Sequence, residues 1–219
     1  MNIRYNRRLE KARSNYDVRH RWVTYGLYEL PFGRGKRFMS NANRVVNGIL
    51  GNWEFNAIQT LESGIPMTFT FAGASSVFLP MGLRPNMAPG KTYDDIRLPW
   101  DRKGPNRHQI ALAQPWADIN AFAYPDSFTA GNAGRNIITG PGMMNHQISF
   151  AKRFPIRERI VGSLRWDMNN PFKYYFFSNP NAVVDFRNPQ NFGKISGNQG
   201  SFSGLGGRLY HQMMFKIEW

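Results

Sequence analysis

The chain has 219 residues, with 28 Lys and Arg against 14 Asp and Glu, a formal net charge of +14. Its 21 Gly and 14 Pro argue against a helical bundle and for many short strands joined by turns, and its 17 Phe, 9 Tyr and 6 Trp argue against disorder. The absence of Cys excludes disulfide scaffolds, thiolate zinc sites and cysteine nucleophiles.

Residues 1–20 read as a basic loop carrying Arg4, Arg7, Arg8, Lys11, Arg13 and Arg19, without the apolar core that a signal peptide needs. Residues 21–219 form the body of the chain. The run from Arg21 to Leu30 is rich in Trp, Val, Thr and Tyr and predicts a strand, stopped by Pro31 and the turn Gly33-Arg34-Gly35-Lys36. From Gly51 to Ser63 the period is two: Trp53, Phe55, Ala57 and Leu61 share one face, and Glu54, Asn56, Thr60 and Glu62 the other.

A Pro/Gly/Asn-rich stretch follows, a long loop over about 64–145, expected to hold one or two poorly marked strands. The next strand, about Asn145 to Phe154, sets His146, Ile148, Phe150, Lys152 and Phe154 on one face and is expected to end at Pro155. Its neighbour, about Glu158 to Asn169, alternates Ile160, Gly162, Leu164, Trp166 and Met168 with Arg159, Val161, Ser163, Arg165 and Asp167. So short a separation makes these two a hairpin. After a second loop over about 170–207, Arg208 to Trp219 closes the chain with Leu209, His211, Met213, Phe215, Ile217 and Trp219 on one face.

No stretch approaches 18 consecutive apolar residues, which excludes a membrane-spanning helix but not a β-barrel, whose alternating strands average out as polar. Alternation alone also fits a soluble sandwich with one wet face. Three features favour a membrane barrel. The strands exceed the usual soluble length of about 5 to 6 residues and suit the roughly 9 to 11 needed to cross a bilayer at a tilt. Trp22, Trp53, Phe154 and Trp219 fall at strand ends, where an aromatic girdle would sit. One hairpin turn is very short while the loops at the opposite ends are long.

The segment Asp17-Val18-Arg19-His20-Arg21-Trp22, followed by Tyr28-Glu29-Leu30-Pro31-Phe32-Gly33-Arg34-Gly35-Lys36-Arg37-Phe38, resembles the DVRHRF…YELPFGKGKRF segment of the Oar-like TonB-dependent receptor barrels. Further matches keep that family's order. They are Gly51-Asn52-Trp53 leading to Ser63-Gly64-Ile65-Pro66, then Arg84-Pro85-Asn86, then Gly131-Asn132-Ala133-Gly134-Arg135-Asn136 with Gly140-Pro141-Gly142. Ile148 to Ile156 is similar to LSLFKNFPI, Arg165-Trp166-Asp167-Met168 stands where an R-x-E-F element is expected, and Phe215-Lys216-Ile217 with Trp219 is similar to the closing LKLxF. The chain departs from the pattern where FNHPNF would follow the fourth strand, carrying Phe172-Lys173-Tyr174-Tyr175-Phe176-Phe177 instead, and where its final aromatic is Trp rather than Phe.

The resemblance implies an all-β fold of antiparallel up-and-down strands, a partial, unclosed segment of a transmembrane β-barrel with long extracellular loops. Such transporters close with about 22 strands, so five marked strands imply the C-terminal fragment of a receptor, not transport-competent alone. It implies that Trp53, Phe55, Ile148, Phe150, Leu164 and Trp166 face lipid or its girdles and that Glu54, Arg165 and Asp167 face the lumen. Met213, Phe215, Ile217 and Trp219 would form the signal read by the barrel assembly machinery. The implied location is the cell outer membrane, as part of a full-length parent. Implied partners are outer-membrane lipid, lipopolysaccharide and, only through a missing N-terminal part, the TonB complex; the substrate is left open.

Residue patterns for chemistry are sparse. Asp94, Asp95 and Asp101 lack the DxDxDG spacing of a Ca²⁺ loop, and Gly131, Gly134, Gly140 and Gly142 match neither GxxxxGK[ST] nor GxGxxG. No GxSxG or recognisable triad occurs, and His20, His108, His146 and His211 show no HxxxH spacing. The reading is therefore a non-enzymatic protein with no cofactor or metal. A soluble all-β module for a polyanion or nucleic acid is the alternative that the +14 charge suggests, although no RNP, KH or zinc pattern supports it.

Overall fold

A computed structural model describes residues 7–72, 83–99, 109, 112–126, 129, 131–157, 159–196 and 209–219. Among the described residues the fold is all-β with one short α-helix described in full, and the chain divides into two units. The first comprises Met1–His20, Glu62–Met143 and Phe176–Gly200; the second comprises Arg21–Leu61, Met144–Tyr175 and Ser201–Trp219.

In chain order the strands are β1 Arg21–Glu29, β2 Trp53–Glu62, β3 Pro66–Met67, β4 Thr70–Phe71, β5 Asn86–Met87, β6 Phe122–Ala123, β7 Ile138–Thr139, β8 Met143–Arg157, β9 Ile160–Asn169, β10 Val183–Val184 and β11 Tyr210–Glu218. Helix α1, Arg44–Leu50, lies between β1 and β2. The long strands make one antiparallel five-stranded sheet in the order β1-β2-β8-β9-β11, unclosed, with β1 and β11 at its edges. Because its strands alternate in direction, the segments before β1, between β2 and β8, and between β9 and β11 all join it at the same end. The β1–β2 connection and the β8–β9 hairpin join it at the other.

β8 runs 15 residues and passes through Pro155, where the sequence predicts a stop. Pro155 lies opposite Val161 beside a register shift between Pro155 and Arg157, at the hairpin end, where a missing N–H costs the ladder little. Arg157 then pairs with Ile160 across the hairpin. The expected starts of the last two strands, at Glu158 and Arg208, lie outside the described residues.

Among the described residues the stretch expected to hold one or two strands, 64–145, holds five short ones, β3 to β7, and the second loop holds β10, each two residues long. Alternation cannot show in so short an element. They pair as β3 with β7 and β5 with β6, both antiparallel, and β4 with β10, parallel. Around them Phe69, Ile96, Trp116, Phe122, Val184 and Phe192 are buried in one cluster. The Phe69 ring lies 4.8 Å from Phe122 and 5.6 Å from Phe192, joining three segments distant in sequence.

Candidate membrane interface

The pleat of the sheet decides which side chains share a face. Across β8 and β9, Ile148 pairs with Met168, Phe150 with Trp166, Lys152 with Leu164 and Phe154 with Gly162. Across β9 and β11, Met168 pairs with His211, Trp166 with Met213, Leu164 with Phe215 and Gly162 with Ile217. These residues therefore form one continuous, mostly apolar face. Ring contacts extend it to β2: Phe55 lies 5.4 Å from Phe150, which lies 6.2 Å from Trp166, which lies 5.8 Å from His211. Trp53, two residues before Phe55, shares that face by alternation.

Much of this face is open, with Met213 69% and Phe215 58% exposed. Apolar side chains left exposed on adjacent strands β9 and β11, beside half-buried ones on β2 and β8, mark a surface that meets something other than water. At Gly162 the Phe154 ring occupies the space a Cβ would need, and it also stacks 6.2 Å from Phe215. A glycine opposite an aromatic thus keeps the face smooth.

The opposite face carries Ser149, Ser163, Arg165, Asp167, Gln212 and Lys216, and Glu54 falls there by alternation within β2. Arg165 Nε donates to Asp167 Oδ1 at 2.8 Å, and Lys216 Nζ donates to Glu218 Oε1 at 2.6 Å.

Lys152 is a cation on the apolar face of β8, and it is buried. Its Nζ donates to the carbonyl of Gly51 at 2.6 Å and reaches that of Asn47 at 3.4 Å, with the Trp53 ring 5.5 Å away. Trp53 Nε1 donates to the carbonyl of Ile49 at 2.9 Å. Both side chains therefore satisfy carbonyls at the C-terminal end of α1, those of Ile49 and Gly51, while the Asn47 carbonyl also accepts from the Gly51 amide at 3.0 Å. At the other end Asn43 Oδ1 accepts from the Val46 amide at 2.8 Å, an N-cap. The seat of α1 is thus the apolar face of the sheet, where Lys152 finds carbonyls instead of reaching for lipid headgroups.

The first unit has a polar hub. Arg84, with 1% of its surface exposed, donates to the carbonyls of Leu9 at 2.9 Å and Ala133 at 3.1 Å and pairs with Glu10. Burial first, and then the nearby charge of Arg135, pull the Arg84 guanidinium below its ordinary pKa. Asn136 donates to the Arg13 carbonyl and to Asn15 Oδ1, both at 2.7 Å, and exchanges hydrogen bonds with Thr68. Asn132 Oδ1 accepts from the Met87 amide at 2.7 Å, and its own amide donates to Asn86 Oδ1 at 2.9 Å. The 84–86 and 131–136 segments, far apart in sequence, meet here with residues 9–15.

Set beside known proteins, the chain matches the model of the outer membrane beta barrel domain over residues 1–209. It belongs to that family. No curated protein and no solved structure matches it.

In this barrel domain the six aromatic and aliphatic residues singled out on β2, β8 and β9 come together on one face, and Glu54, Arg165 and Asp167 on the other. Met213, Phe215 and Ile217 join the first group on edge strand β11; Trp219 follows its end, 93% exposed. Asp94 and Asp95 lie in a 3-10 turn, Tyr93–Ile96, where Asp95 Oδ2 accepts from the Thr92 amide at 2.7 Å and hydroxyl at 2.8 Å. Those bonds, led by the one from the amide, hold the Asp95 carboxyl below its usual range. Asp101 lies outside the described residues. Among the described residues no helix is long and apolar enough to cross a membrane, a statement that leaves β-barrels untouched.

Sequence reasoning missed α1 and the partners of Lys152. Asn43 followed by Val45, Val46, Ile49 and Leu50 at helical spacing is the signal that could have found the helix.

Proposed function

We propose that this barrel domain is a sector of the wall of an Oar-like TonB-dependent receptor, a non-catalytic outer-membrane protein that binds or moves a substrate without altering it. One observation carries the reading: among the described residues, a five-stranded sheet with β1 and β11 at open edges and one continuous apolar face. In lipid each unpaired backbone group costs several kcal/mol, so such a sheet needs further strands on both sides. About 22 strands close a wall of the receptor class, and the ordered sequence likeness from Asp17 onward points to that class.

In this reading Trp53, Phe55, Ile148, Phe150, Leu164 and Trp166 meet lipid, and Glu54, Arg165 and Asp167 face the lumen as structural charges in a wet interior. Met213, Phe215, Ile217 and Trp219 supply the signal for the barrel assembly machinery. Basic residues of the loop unit meet lipopolysaccharide phosphates, and TonB contacts a part of the receptor outside this chain. The five strands alone do not transport.

The coding sequence in frame before the Met1 codon tests this. A continuation through further barrel strands and a plug supports the receptor. A promoter and start site there, with no barrel sequence ahead of them, overturns it.

A further inference from the structure

The β1–β2 connection of the second unit has the chemistry of a membrane-surface foot. Between Leu30 and Asn52 the sequence holds Arg34, Lys36, Arg37 and Arg44 and no Asp or Glu. Lys36 pairs with Glu29 at 2.6 Å, and Arg34, Arg37 and Arg44 have no carboxylate partner among the described residues. The basic turn and the helix are one piece: the Arg34 amide donates to Asn47 Oδ1 at 2.7 Å, and Arg34 Nε donates to the Ala42 carbonyl at 3.0 Å.

Helix α1 leaves its apolar side chains open, with Val45 70%, Ile49 63% and Leu50 51% exposed. A solvated helix of a soluble domain would turn such residues inward. Here the C-terminal carbonyls, not the apolar side chains, are held by the sheet, through Lys152 and Trp53. Those two residues stand on the apolar face, so α1 continues that face outward at the short-turn end of the strands.

We propose that the β1–β2 connection docks on anionic phospholipid headgroups of the leaflet at that end of the wall, with Val45, Ile49 and Leu50 set into the acyl boundary and Arg34, Arg37 and Arg44 on the lipid phosphates. The proposal rests on the apolar sheet face meeting lipid, as argued under Proposed function. Two observations select this occupant: the helix is continuous with that face, and the connection is wholly cationic. A neutral or acidic partner surface would leave the basic residues unmatched or the apolar ones wet.

Because the chain has no Cys, single reporter cysteines can be placed without background. The full chain carrying Val45→Cys, and separately Phe215→Cys, is labelled with an environment-sensitive fluorophore. It is then reconstituted into vesicles of pure phosphatidylcholine or of phosphatidylcholine mixed with phosphatidylglycerol. The expected result is a blue shift at position 45 in the anionic vesicles that reverses in high salt. Adding Arg34→Gln, Arg37→Gln and Arg44→Gln should raise the anionic lipid needed by at least about fivefold, the scale of a single basic contact. An equal shift in pure phosphatidylcholine overturns the anionic docking. A label in lipid at position 215 but in water at position 45 overturns the foot and leaves the barrel standing; both labels in water overturn the lipid contact of the apolar face on which the foot rests.

Discussion

Lys152 Nζ donates to the Gly51 carbonyl at 2.6 Å, so a cation on an apolar sheet face ends not in solvent but on the terminus of a helix. Lys152→Met removes the donor and leaves a buried carbonyl unsatisfied, a loss of about 1–3 kcal/mol. Urea titration in detergent micelles should show that loss, and hydrogen exchange should quicken across Arg44–Leu50. Unchanged exchange there would mean the cap holds nothing.

Arg84 and Glu10 form the buried ion pair of the loop unit. Removing only the cation, Arg84→Met, strands the carboxylate and two backbone carbonyls and should cost about 3–5 kcal/mol. Arg84→Met with Glu10→Gln should recover part of that, because the orphaned charge is gone. Equal losses in the single and double variants, measured by hydrogen exchange in residues 84–87 and 131–136, would show that the pair is not what holds the hub.

A cation on the apolar face should behave differently from one on the polar face. Phe150→Arg places a charge among Phe55 and Trp166 and should cost about 2–4 kcal/mol of folding into lipid if it lies near the midplane. Gln212→Arg, opposite Asp167 on the other face, should change little. Comparable losses for both would contradict the assignment of the faces.

Asp95 gives the loop unit an acid limit. Its carboxyl is held below the usual range by Thr92, so its contribution is fully present above the unfolded value of about 3.9 and fades as pH falls through the lower folded value. Protease resistance of the 3-10 turn should weaken over that window in the parent chain and be independent of it in Asp95→Asn. A parent chain that is equally resistant on both sides of the window would refute this.

The sheet was legible because its signal is local. Ile148, Phe150, Leu164, Trp166, Phe215 and Ile217 alternate with polar neighbours, and a period of two survives without knowledge of any partner. The loop unit was not, because its order comes from contacts between distant residues. Arg84 reads as one more cation until Leu9, Glu10 and Ala133 are brought around it. Gly131 reads as a turn glycine, yet its lack of a Cβ makes room for the carbonyls of Arg84 and Pro85. Lys152 carries no sign that its partner lies in a helix about a hundred residues earlier.

The pairing of β3 with β7 bears on how such a sheet can assemble at all. Pro66 meets Thr139 and Met67 meets Ile138, and the Gly140 amide donates to the Ile65 carbonyl at 2.9 Å. The long insertion is therefore stitched shut just inside the two strands that carry it. Once that stitch forms, β2 and β8 behave in the conformational search as neighbours joined by a short tether, and the contact order of the central strand pair falls. The closure entropy is borne by the folding of the loop unit, where each doubling of length adds only about 0.6 kcal/mol. An insertion of this kind works as a splint: it can grow or change sequence at its tip while the strands it joins still find each other quickly.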